Sequence, residues 1–179
     1  MVSTESAEQY FLSDVAQRRR LIDAAAIVPS DRVVELGAGN GSIAVMVPPC
    51  RSLTLVEYDP ALAARLRDTV PHARVIEDDA RQVLPKLRFD VLLSNLPHTL
   101  TGDVLARLRD RVRRGQTFRR ALVAAHCSDD LANRDEVGGV FEVRFVGALK
   151  EDDFTPPQPF GSSLYLLTPL ASLRTASER

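Results

Sequence analysis

The chain has little cysteine, little lysine and no long apolar run. Its two cysteines, Cys50 and Cys127, show no metal-ligand spacing, so no metal site is expected and both read as reduced thiols of a cytoplasmic protein. The apolar stretches are short and broken by charge, so none is expected to span a bilayer. The opening Met1-Val2-Ser3-Thr4-Glu5 lacks the basic-then-apolar order of a signal peptide. Internal repeats and low-complexity tracts are missing as well. Only two of the 23 basic residues, Lys86 and Lys150, are lysine. Nearly all positive charge is therefore guanidinium, which can fork onto phosphate or stack on bases.

What is present is ordinary for a globular protein: 45% hydrophobic and 26% charged residues, with a formal net charge of −1. At 179 residues, one domain over 1–173 is expected, followed by a frayed tail at 174–179. The charge is unevenly placed. Seven of the fourteen residues from Arg107 to Arg120 are Arg, and Arg18-Arg19-Arg20 forms a second cluster. The first stretch is either a solvated helix face or a surface for a polyanion.

Strand and helix signals alternate. Asp14 to Ala26 reads as a helix and Arg32–Leu36 as a strand. Gly41–Val47 opens a helix that Pro48-Pro49 stops. Leu53–Glu57 is a second strand, and Pro60 starts a helix with Leu62, Leu66 and Val70 on one face. Arg74–Glu77 and Phe89–Ser94 are further strands, the latter an apolar run suited to burial on both faces. A helix over Thr101 to Arg113 precedes strands at Arg119–Ala125, Glu142–Ala148 and Ser162–Thr168. The order predicts an α/β fold with a mostly parallel seven-stranded sheet and helices on both faces. The helix-free ending predicts an antiparallel finish. This pattern resembles the Rossmann-like fold of class I methyltransferases.

Ligands of such sheets bind beyond the carboxyl ends of the strands. Four segments meet there. Gly37, Gly39 and Gly41 follow the first strand, and Glu57 ends the second, twenty residues after Gly37. Glycines permit close backbone approach, and a carboxylate can accept both ribose hydroxyls. The turn lacks the Lys and Ser/Thr of a P-loop, which disfavours nucleoside triphosphate hydrolysis. Asp79 follows the third strand and is either an acceptor for an adenine amino group or an exposed turn acid. Asn95-Leu96-Pro97-His98 follows the fourth.

An exocyclic amine on an aromatic base is a poor nucleophile, because its lone pair is delocalised into the ring. The Asn95 side-chain oxygen and the Leu96 carbonyl would together favour a pyramidal nitrogen, acting on charge that develops in the transition state. Pro97 would stiffen that backbone. The electrophile would be the methylsulfonium of S-adenosylmethionine. The alternative for this tetrapeptide is a plain strand-end turn. His98 would stack on the base, act as a proton acceptor, or be a surface histidine.

Six segments, taken together, resemble the ribosomal RNA adenine N6-methyltransferases, the family of the small-subunit dimethyladenosine transferases and erythromycin-resistance methylases. Gln9-Tyr10-Phe11-Leu12-Ser13-Asp14 is similar to its Q-N-F-L-x-D. Glu35-Leu36-Gly37-Ala38-Gly39 resembles E-x-G-x-G, and Val56-Glu57-Tyr58-Asp59 resembles I-E-x-D. Asp78-Asp79-Ala80 is similar to G-D-A, and Asn95-Leu96-Pro97-His98 to N-L-P-Y. Phe154-Thr155-Pro156-Pro157-Gln158-Pro159-Phe160-Gly161-Ser162 resembles F-x-P-x-P-x-V-x-S with an offset of one residue.

The resemblance implies an S-adenosylmethionine site built from Gln9, Tyr10, Leu12, Gly37, Gly39, Glu57, Asp79, Ala80 and Asn95. Tyr10 and Leu12 would contribute backbone contacts. Asn95, Leu96, Pro97 and His98 would hold the target base. It implies ribosomal RNA or a ribosomal subunit as partner, through Arg107–Arg120. His98 replaces the family's Tyr, Tyr10 replaces its Asn or His, and His126-Cys127 stands where a Gln-Lys-Glu signature is expected. The family's C-terminal helical RNA-binding domain is not expected within these 179 residues. With the near-neutral charge, these departures keep two alternatives open: a small-molecule N-methyltransferase and a non-catalytic cofactor-binding module.

Overall fold

The computed structural model describes residues 9–135 and 137–174. The opening pentapeptide and most of the expected tail, 175–179, lie outside them.

Helix α1, Val15–Ala25, starts where the Asp14 carboxylate accepts the Gln17 N–H at 2.9 Å and ends where Ala26 turns left-handed at φ 43°. Strand β2, Arg32–Leu36, follows; the short β1, Phe11–Leu12, precedes α1. Strand β3, Ser52–Glu57, leads into α2, Pro60–Thr69, which is capped by Asp59 with Pro60 in its first turn. Strand β4, Arg74–Glu77, leads into the single turn α3, Ala80–Val83, capped by Asp79. Then come β5, Val91–Ser94, α4, Thr101–Arg113, and β6, Arg120–His126. The chain continues through β7, Phe141–Leu149, β8, Phe154–Thr155, β9, Ser162–Pro169, and a last turn α5, Ala171–Arg174.

The main sheet has seven strands in the order β4-β3-β2-β5-β6-β9-β7. The first five are parallel; β9 runs antiparallel between β6 and β7. Strands alternate their side chains between the two faces. Val34, Leu36, Leu92 and Val123 pack against Val104, Leu105 and Leu108 of α4. Val33, Leu55, Leu93 and Leu122 pack with Leu21 and Ala25 of α1 and Leu66 of α2. The predicted mostly parallel sheet with helices on both faces is therefore the observed one.

Two local features differ from the sequence reading. The helix expected over Gly41–Val47 is one 3₁₀ turn at Ala44–Met46. Gly41 sits at φ +82°, outside helical geometry. Pro48 pushes Val47 into an extended conformation at ψ 122°. The second feature was not foreseen: β1 and β8 pair antiparallel, Phe11 opposite Thr155 and Leu12 opposite Phe154. Ser13 and Asp14 reinforce the joint by donating their N–H groups to the Asp153 carbonyl at 2.8 and 3.0 Å. No helix among the described residues is long and apolar enough to cross a membrane.

Leu122 is fully buried at the centre of the sheet. Leu122→Ala should lower unfolding free energy by about 2–5 kcal/mol, read as an earlier urea midpoint with an unchanged slope. A change below 1 kcal/mol would show that this layer is loosely packed.

Candidate active site

The strand order reverses between β2 and β5, which opens a crevice at their carboxyl ends. The glycine turn leaves β2 there. Gly37, Gly39 and Gly41 all have positive φ, at 67°, 55° and 82°, which glycine alone adopts freely. The turn is also crowded. A Cβ on Gly37 would meet Leu96 Cδ2 at 2.5 Å, and one on Gly39 would meet the Phe11 ring at 2.8 Å. The first contact brings the Asn95-Leu96-Pro97-His98 segment against the turn. The second brings the N-terminal segment over it.

Glu57, buried at the tip of β3, fastens the turn. Its Oε2 accepts the Gly39 N–H at 2.7 Å and its Oε1 the Asp59 N–H at 2.9 Å. A carboxylate has about four acceptor positions, so capacity for hydroxyl donors remains. Gln9 Nε2 lies 3.4 Å from Asp59 Oδ2, which carries the chain's start across the same crevice. Leu12 is a core residue through its side chain, buried with Leu21 and Phe154. Tyr10 packs beside that cluster.

Asp79 caps α3, with Oδ1 accepting the Arg81 N–H at 2.8 Å. The Arg81 guanidinium forks onto the same carboxylate at 2.6 and 3.0 Å. That hydrogen-bonded cation holds the Asp79 carboxyl below its usual range, with partial desolvation opposing. Arg81 is a partner the sequence reading did not assign. Ala80 is buried behind it.

Asn95 is half-buried just beyond β5, and its side chain has no hydrogen-bond partner among the described residues. Pro97 is extended at ψ 136°, and its carbonyl accepts the Leu100 N–H at 2.9 Å, closing a 3₁₀ turn over His98–Leu100. His98 is half-buried. Its Nε2 lies 3.2 Å from Ser162 Oγ, which in turn donates to Gln158 Oε1 at 2.9 Å. Which of the two donates in the His98–Ser162 contact is set by the imidazole tautomer. The His98 Nδ1 is buried without a partner among the described residues. Phe160 tilts against the His98 ring at 5.2 Å, and His126 meets it edge-on at 5.5 Å. Burial, and then the nearby His126, lower the His98 pKa, with Asp129 opposing. Phe160 and His126 come from segments that spacing alone did not join to His98.

The Arg107–Arg120 stretch is divided rather than gathered on one face. Arg107 donates to the Arg81 carbonyl at 2.6 Å, Arg109 pairs with Asp110, and Arg119 pairs with Asp31. Arg111 is buried over the Phe89 ring at 4.5 Å. Arg113 and Arg114 are exposed. No cluster of three or more metal-ligating side chains occurs among the described residues.

Glu35 is the residue here to which the sequence reading gave no separate role. It is buried in β2, its Oε2 has no partner among the described residues, and its pKa is pushed up to about 8, first by burial and then by the Glu57 charge. The folded protein therefore holds a proton that the unfolded chain releases near 4.5. Its stabilising share is fully present below that value and is lost as pH rises towards 8, at up to about 1.4 kcal/mol per pH unit. Urea unfolding of Glu35→Gln should show a shallower loss of stability between about pH 5 and pH 8 than the parent chain. Equal slopes would mean that Glu35 is ionised throughout.

The model for the family described as ribosomal RNA adenine dimethylase matches residues 4–121. The ribosomal RNA small subunit methyltransferase A of Thermobifida fusca is 32% identical over 92% of this chain and 64% of its own length. That of Chlorobium chlorochromatii is 32% identical over 59% of this chain and 42% of its own. The chain thus spans less than two thirds of these relatives. Among solved structures, a dimethyladenosine transferase from Plasmodium falciparum superposes with a TM-score of 0.79 at 20% identity, covering 91% of this chain and 64% of that one. The 23S rRNA methyltransferase ErmE gives 0.76 at 20% identity, covering 94% and 76%. The fold is that of these methyltransferases, and the chain belongs to the ribosomal RNA adenine dimethylase family.

Proposed function

We propose that the chain is an S-adenosylmethionine-dependent methyltransferase acting on N6 of adenine in ribosomal RNA. The observation that carries this reading is the Leu96 side chain against Gly37, which sets the Asn95-Leu96-Pro97-His98 segment directly beside the glycine turn. The names of the relatives favour RNA as the acceptor over a small-molecule amine.

The residues suit a nucleoside cofactor. Glu57 would take the ribose hydroxyls with its spare acceptor positions, while the positive-φ turn admits the ligand to its backbone. The orphaned Glu35 Oε2 adds a polar atom behind the turn. Asp79 would accept from the adenine amino group in competition with Arg81, whose guanidinium bonds both of its oxygens. S-adenosylmethionine supplies a methyl group on a sulfonium, which leaves as a neutral thioether.

Asn95 Oδ1 and the Leu96 carbonyl would accept the two N6–H bonds of the target adenine. They would draw the nitrogen lone pair out of the ring and aim it at the methyl carbon. On taking the methyl group as the thioether leaves, N6 would become cationic, with Asn95 Oδ1 and the Leu96 carbonyl accepting from its N–H bonds. One of its protons then passes to solvent or to an acceptor at the site. His98 stays neutral near pH 7 because burial and His126 disfavour its cation, so no like charge faces the sulfonium. Its ring, with Phe160, would form the wall against which the base lies.

Asn95→Ala removes one acceptor and leaves no large cavity. Tritiated methyl transfer to ribosomal RNA and to ribosomal subunits should fall about 100–1,000-fold with folding intact. Near-normal turnover would remove Asn95 from this role, and label confined to small amines would replace the RNA reading. His98→Tyr should keep or raise transfer if the ring serves as a wall. Abolished transfer with intact cofactor binding would instead assign the reaction a need for the imidazole.

A further inference from the structure

At the opposite end of the sheet the strands begin on a basic cleft of about 440 Å³. Arg51 lies before β3, His72 and Arg74 stand at the start of β4, and Lys86 and Arg88 lie on the loop that leads to β5. No acid lines the cleft. Arg51, Arg74, Lys86 and Arg88 are exposed, and none forms an ion pair among the described residues. Asp31, whose carbonyl accepts the Arg51 N–H at 2.9 Å, and Asp90, two residues after Arg88, are committed to Arg119 and Arg32.

The loop is anchored from beneath by another cation. Arg111 donates to the Leu87 carbonyl at 2.7 Å, lies over Phe89, and keeps its Nε buried without a partner among the described residues. Burial lowers its pKa, and Arg32 and Arg88 press it further. Four unpaired cations above a buried guanidinium leave this end positive, although the whole chain is nearly neutral. An isolated like-charge cluster is unfavourable unless an anion joins it.

We propose that this cleft binds the sugar–phosphate backbone of a second segment of the RNA whose adenine is presented at the carboxyl ends of the strands. The inference rests on the ribosomal RNA reading above. Cations spread over two strand starts and a loop suit successive phosphates rather than one small anion, and Arg can fork onto each. The two sites lie about 17 Å apart, the length of β3, so the RNA must be folded, with two segments on opposite ends of the sheet. This surface adds phosphate contacts to those open to the exposed Arg113 and Arg114.

The test is anisotropy of a labelled small-subunit ribosomal RNA transcript across about 50–200 mM salt. Each phosphate contact adds about 0.7–0.9 to the slope of log affinity against log salt. Arg74→Gln/Arg88→Gln should flatten that slope by about 1.5 and weaken binding, while the control Arg19→Gln/Arg65→Gln leaves the slope in place. Unchanged affinity and slope in the cleft variant overturn the proposal. So does equal displacement of RNA by inorganic phosphate at matched phosphate concentration, or by polyglutamate. If the double variant melts early, Lys86→Gln on the exposed loop should still remove about 0.8 of slope. Methyl transfer, run in parallel, separates the two claims. Cleft-dependent binding without transfer to adenine sinks the enzymatic reading and keeps the cleft, whereas transfer with an unaltered slope does the reverse.

Discussion

The Glu57 carboxylate carries the geometry of the crevice. It closes one oxygen on the glycine turn after β2 and the other on the N–H of Asp59, which itself caps α2. Three elements are thereby referred to one side chain: the strand that bears it, the turn beside it and the helix that follows. Gly37 and Ala38 complete the tie by donating to the Val56 carbonyl at 2.8 and 3.2 Å. Freed from these bonds, the turn would lose its fixed path along the end of β3. The arrangement sits at the strand-order reversal, where neighbouring loops diverge and leave room.

Most of the sheet was legible because its code is local. Arg32–Leu36 and Arg74–Glu77 are bounded by breakers and read with the observed limits. α1 and α4 declare themselves by Asp14 and by apolar spacing. The glycine turn, Glu57, Asp79 and Asn95 were placed at one end of the sheet by the alternation of strands and helices, which fixes where each strand terminates. The short 3₁₀ turn at Ala44–Met46 was misread as a helix. There the positive φ of Gly41 and the proline restriction outweighed propensity.

What the sequence concealed is long-range. Nothing in Phe11 announces that its ring will lie on Gly39, nor in Phe160 that it will lean on His98. The fork of Arg81 on Asp79 is short-range, yet it competes with solvent exposure and with Asp103. The dense Arg107–Arg120 stretch was the least faithful signal. Helical geometry sends successive residues to different faces, so one guanidinium is buried over Phe89 while others pair with acids or backbone carbonyls.

The pairing of β1 with β8 has a consequence for the order of assembly. Ser13 and Thr155, bonded at 2.8 Å, stand 142 residues apart, so the strip that carries Phe11 onto the glycine turn has nothing to pair with until the far hairpin exists. During synthesis the parallel strands and their helices can collapse as each emerges. The crevice meanwhile stays unroofed, Phe11 and Leu12 waiting for Thr155 and Phe154. A polypeptide arrested before β8 would lack β9 as well, so its sheet would end at β6 with β7 unpaired, and the glycine turn would have no Phe11 strip held over it. The placing of Phe11 on the glycine turn is thereby coupled to the synthesis of β8.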